Sequence, residues 1–134
     1  MAECILNRLG QGKFKAFSAG SRPVGQVNPL ALSVLRKSNF GTAGLRSKSW
    51  EEFIRPGTPK LDFVFTVCDN AAVEACPIWP GQPMTAHWGV EDPAAFEGAE
   101  SDQRWKFRRT YQALQRRIEL FISLPVESLD RMSL

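Results

Sequence analysis

The strongest constraint on the fold is a short apolar run, Leu61 to Val67 (LDFVFTV), rich in Phe and Val and bounded by Pro59 and by Asp69-Asn70. Such a run between breakers reads as a strand buried on both faces of a parallel sheet. Cys68 then falls at the strand's C-terminal end, the edge of an open α/β sheet where ligands and chemistry collect. Continued to Ala95, the same stretch holds Cys68 and Cys76, the only histidine, His87, two of the four tryptophans and the turn Asp92-Pro93.

Seven residues (DNAAVEA) separate Cys68 from Cys76. Two thiols on one loop form a disulfide if the loop brings their Cα atoms within about 7 Å, and a pair of this kind acts as a redox relay. The alternative is two unrelated buried thiols, since free Cys is among the most buried residue types. Cys4, beside Ile5 and Leu6, reads as a packed thiol. Together with Cys68, Cys76 and His87 it has the donors for zinc, but the C-x7-C spacing is looser than zinc sites use, so no metal site is expected. His87 is expected to orient the Asp92 loop or to pack beside Trp88. The four tryptophans read as core and loop anchors.

The rest of the chain alternates helix and strand. Met1 to Leu9 reads as a helix ended by Gly10, and Phe14 to Ala19 as a strand ending at Gly20. Asn28 and Pro29 open a second helix with Leu30, Ala31, Val34 and Leu35 on its apolar face. Ser49-Trp50-Glu51-Glu52 matches a capping box before a short helix that Pro56-Gly57 ends. Met84 to His87 forms a short further element. Ser101 is the expected cap of a last helix, from Asp102 to about Ser123, whose Phe107, Tyr111, Leu114, Ile118 and Phe121 step by three and four. Pro125 closes it, and the tail after it is expected to fray. Strands alternating with helices give an α/β fold with a small parallel sheet.

Length bounds the chain to one domain over residues 1–134. A hydrophobic share of 43% with 23% charged residues is that of an ordinary globular protein. No apolar run approaches a membrane span, and nothing at the start reads as a signal peptide, so no membrane association is expected. Three cysteines without a disulfide-framework spacing suit a reducing cytoplasm. The net charge of +3, concentrated between Arg104 and Arg117, is not interleaved with aromatics on a strand face, so no nucleic-acid platform is expected.

The run FTVCDNAAVEACPIWPGQPMTAHWGVEDPA resembles the bacterial arsenate reductases built on the low-molecular-weight tyrosine phosphatase fold. The resemblance extends over almost the whole chain. MAE…IL is similar to that family's first helix, FSAGSRP to its second strand and loop, and LRSKSWEEF to the short helix before the cysteines. It implies a phosphotyrosine protein phosphatase I-like α/β fold, a small parallel sheet flanked by helices. It also implies reduction of arsenate to arsenite through a cysteine relay, with no cofactor and a thioredoxin-type reductant as partner. By residue match Cys68 is the family's second cysteine, Cys76 its third, and Asp92 the aspartate that acts as general acid in the phosphatases. Glu3 and Ser18 match positions that bind potassium in some members.

The departure from the pattern is the family's anion loop, C-x5-R. Six residues after Cys4, Cys68 and Cys76 stand Gly10, Glu74 and Gln82, none of them arginine. The loop and the family's first strand should lie immediately before Met1, which reads most economically as an internal methionine of a longer protein. Without that strand the sheet should expose unpaired edges, and the chain is expected to be inactive and either marginally stable or associated, as in a homo-dimer, to cover them. A tyrosine phosphatase on the same scaffold is the alternative enzyme, and a non-catalytic binding module the alternative to an enzyme.

Overall fold

Helix α1 spans Ala2–Leu9, α2 Pro29–Lys37 and α3 Glu100–Ile122, while strands β1 (Phe63–Thr66) and β2 (Met84–His87) lie between α2 and α3 in the chain. The computed structural model describes residues 1–67 and 77–126. The two strands pair in parallel, with Phe63 opposite Met84 and Thr66 opposite His87. Single 3-10 turns stand at Trp50–Phe53 and Pro93–Ala95.

Helix α3 forms on the expected stripe. Phe107, Leu114, Ile118 and Phe121 are buried, and Leu114 and Ile118 close around Ile5 of α1. Its N-terminus is two residues earlier than Ser101 would set it. Ala99 is the cap residue and supplies no side-chain bond, but Glu100 and Asp102 in the first turn complement the helix dipole. Phe121 then reaches β1, meeting the rings of Phe63 and Phe65 at 5.1 and 4.9 Å between centroids.

Gly10 ends α1 as expected, for a different reason. Its φ of −96° is open to any residue, but a Cβ there would stand 2.9 Å from both the Leu6 carbonyl and the Phe14 ring. Close approach of Phe14 demands the glycine. Helix α2 opens on Asn28, whose side chain accepts from the Leu30 N–H, and closes in a Schellman motif. Asn39 takes the left-handed conformation (φ 66°), the Phe40 N–H reaches the Leu35 carbonyl, and the Asn39 N–H reaches that of Arg36. Arg8 donates to the carbonyls of Ser38 and Asn39 at 2.8 and 2.7 Å and lies over the Phe40 ring, so one guanidinium ties α1 to the end of α2.

Three local expectations change. Phe14 to Ala19 is not a strand. One parallel bridge follows it, Gly20 with Ser49; within it the Phe14 N–H bonds to the Gly10 carbonyl, and Ala16 and Ser18 bond to side chains of α1. Asn7 accepts from the Ala16 N–H (2.8 Å) and donates to the Ala16 carbonyl (3.2 Å), and Glu3 accepts from the Ser18 N–H. Residues four apart on a helix thus serve backbone groups two apart on an extended segment, leaving no need for a strand partner. Second, β1 is only half-buried along its length, because α3 covers the Phe63 and Phe65 face while Val64 and Thr66 point the other way. Third, the capping box is half made. Ser49 accepts from the Glu51 N–H, but Glu52 turns outward to a two-pronged pair with Arg46, and the segment is a 3-10 turn.

Candidate active site at the C-terminal ends of the strands

Parallel pairing brings the ends of β1 and β2 to one edge of the sheet. The pairing continues past the strands through the Trp88 N–H to the Thr66 carbonyl and the Val90 N–H to the Val67 carbonyl. Alternation then divides the side chains. Trp88 stacks on Phe65, 4.3 Å between centroids, on the α3 face. Thr66 and His87, opposite each other in the register, meet on the other face with Thr66 Oγ1 2.8 Å from His87 Nδ1. His87 therefore takes Thr66 as a partner, and Trp88 turns away from it. A hydroxyl fixing one ring nitrogen leaves the tautomer, and so the role of Nε2, tied to which way that bond runs. Thr66 was not singled out by sequence reasoning. The register Thr66 with His87 would have found it, but a register is not readable before the strands are paired.

Gly89 turns the chain beyond His87 with φ 63°, a conformation that favours glycine. Asp92 follows, exposed, and one carboxylate oxygen accepts from the Ala94 N–H at 3.0 Å. It thereby caps the 3-10 turn Pro93–Ala95. Among the described residues the other oxygen makes no hydrogen bond. The turn is held against α3, where Lys106 lies 3.9 Å from Glu91 and 5.2 Å from the Phe96 ring centroid. Across the strand-end loop, Trp79 meets Trp50 edge-on, as expected of a loop anchor. Cys68 and Cys76 lie outside the described residues, so the structure brings together Thr66 and His87, with Asp92 five residues after His87.

The matched potassium positions, on α1 and the extended segment after it, hold a different arrangement. Glu3 Oε1 receives the Ser18 N–H at 3.0 Å and has the Lys48 ammonium 3.6 Å away, with the Lys48 and Glu3 side chains only 8% and 16% exposed. Ser18 thus directs a donor at the same oxygen that an alkali ion would need, and Lys48 already supplies the charge. These residues do not fit a bound cation. No cluster of three or more metal-binding side chains exists among the described residues. Cys4 is partly buried and reduced, and burial, above all, pushes its thiol upward from the ordinary 9.0. A thiol held protonated is a poor nucleophile.

The model of the low-molecular-weight phosphotyrosine protein phosphatase family matches residues 1–133. The arsenate reductase of Shouchella clausii is 38% identical over 121 residues, 90% of this chain and 84% of that protein. The chain belongs to this family, in its arsenate reductase branch. The arsenate reductase of Oceanobacillus iheyensis is 30% identical, also over 121 residues, 90% of this chain and 84% of that protein. A solved structure of an arsenate reductase in its oxidized state superposes with a TM-score of 0.70 at 25% identity, covering 91% of this chain and 85% of that one. The expected α/β fold, a small parallel sheet with flanking helices, is therefore that of the family. Among the described residues no helix is long and apolar enough to cross a membrane.

Proposed function

We propose that this chain is one arsenate reductase domain carrying the relay half of the reaction. In the reading we favour, a first thiolate outside these residues bonds to arsenic. Cys68 then attacks that sulfur, the arsenic leaves as arsenite with the bonding electron pair, and a disulfide to Cys68 forms. Cys76 attacks Cys68, freeing the first thiol, and a thioredoxin-type dithiol reduces the Cys68–Cys76 bond. Asp92 supplies the proton for the departing oxygen. The observation that carries the reading is the combination of two cysteines following β1 with likeness to arsenate reductases along nine-tenths of the chain. Ester hydrolysis, the phosphatase alternative, has no electrons to dispose of and no use for a second and third thiol.

No cysteine in the 134 residues has an arginine six positions on, so this chain alone should not turn over arsenate. Chain-to-chain pairing at the strand edges, giving a homo-dimer, belongs to the same reading, because among the described residues β1 pairs only with β2. Differential alkylation and peptide mapping after mild oxidation should find Cys68 bonded to Cys76 with Cys4 free, and a dominant Cys4 bridge overturns the relay. Joining the family's first strand and C-x5-R loop ahead of Met1 should give arsenite release. In that protein Cys76→Ser should trap a disulfide between the added cysteine and Cys68.

A further inference from the structure

Away from the strand ends, α2 and the first half of α3 enclose a cleft of about 280 Å³. Leu30, Val34 and Tyr111 give it apolar walls, Lys37, Arg104 and Arg108 bring three cations to its lining, and no carboxylate lines it. Arg104 is answered by Glu100 one turn back, at 2.8 Å. Lys37 and Arg108 have no acidic partner among the described residues. Arg104 and Arg108 stand four apart on one helix face, where like charges repel. They also occupy the half of α3 nearest the positive end of its dipole. Lys37, Arg104 and Arg108 are all exposed, so an anion can reach them from solvent without displacing a carboxylate from the lining.

We propose that this cleft binds a small organic anion, an aryl or branched alkyl carboxylate. Its hydrocarbon body lies against Leu30, Val34 and Tyr111, and its charge is answered by Lys37 and Arg108. The volume is at the small end for ligand sites, enough for one ring system with its substituents. An inorganic oxyanion would use the cations and leave the apolar walls wet. The site is separate from the strand ends and does not depend on the relay.

The test is an amide-shift titration of the full chain with three probes: 2-naphthoate, the neutral 2-naphthalenemethanol and inorganic phosphate. 2-Naphthoate should give saturable shifts confined to α2 and the first half of α3, with the neutral compound and phosphate each roughly tenfold weaker. Arg108→Gln and Lys37→Gln should each weaken 2-naphthoate by roughly three- to tenfold while leaving the remaining amide spectrum in place. The proposal fails if no saturable shift occurs, if shifts centre elsewhere, if phosphate or the neutral compound binds as tightly, or if the double variant binds like the parent. Should a variant lose its fold, the comparison of charged and neutral probes on the unaltered chain decides.

Discussion

Among the described residues, every buried apolar side chain sits on a helix: Ile5 on α1, Ala31 and Leu35 on α2, and Phe107, Leu114, Ile118 and Phe121 on α3. The strands are another matter. β1 is half-buried throughout, and β2 is exposed at three of its four positions. The helical side is held by apolar packing from several directions, and the strand side by one face of aromatic rings and a short ladder. Stability is concentrated on the helices, while Thr66 and His87 sit at the ends of the strands, with the Asp92 turn after them. Local opening should therefore begin at the strand ends, at a free energy well below global unfolding.

The sharpest way to break this contrast is a pair of truncations. Ile118, 0% exposed, is touched by α1 and by the rest of α3, so Ile118→Ala should cost about 2–5 kcal/mol by denaturant unfolding. Thr85→Ala on the exposed face of β2 should stay within about 0.5 kcal/mol. Comparable losses would mean that the strands carry as much of the stability as the helices. Next in size is Arg8→Met, which keeps an apolar stem over Phe40 and removes two bonds to the end of α2. We expect a loss of about 1–2 kcal/mol, with amide exchange accelerating at Asn39 and Phe40.

Asn7→Leu should cost about 1 kcal/mol and should raise exchange at the Ala16 amide while leaving Ile118 unchanged. Unchanged protection at Ala16 would show that the segment is held by something other than the asparagine. The smallest effect belongs to the surface pair. Arg46, chiefly through its hydrogen bonds, holds the Glu52 carboxyl below the usual carboxylate range. Because the folded value is the lower one, the pair's contribution is present above the unfolded carboxylate value and is lost as pH falls through the folded one. Glu52→Gln should flatten the acid side of the melting-temperature profile slightly at low salt and not at all at high salt.

Helices were the most legible elements in the sequence, because a stripe such as Phe107, Tyr111, Leu114, Ile118 and Phe121 is a local pattern with one solution. The Phe and Val run was equally clear as a strand, but its burial was overstated, since burial depends on what packs against both faces. Phe14 to Ala19 misled for a related reason. Alternation marks an extended segment, and whether it becomes a strand is decided by its partner, here the side chains of Asn7 and Glu3 on α1, 9 residues before Ala16 and 15 before Ser18. Of the candidate site, His87 and Asp92 could be picked out by residue type and resemblance, while Cys68 and Cys76, picked out in the same way, lie outside the described residues. Thr66 and Lys48 could not, because each acquires its role from a residue distant in the chain, His87 and Glu3.

The Asn7 contact has one more consequence. A carboxamide carries the same donor and acceptor as a peptide group, so α1 ends the hydrogen-bonding run at Ala16 with a unit that has no successor. A backbone partner would offer its own opposite side to the next molecule and allow growth; an amide on a helix offers none. The extended segment is thus closed to propagation on its α1 side, and among the described residues the strand edges left open to stacking are the outer ones of β1 and β2.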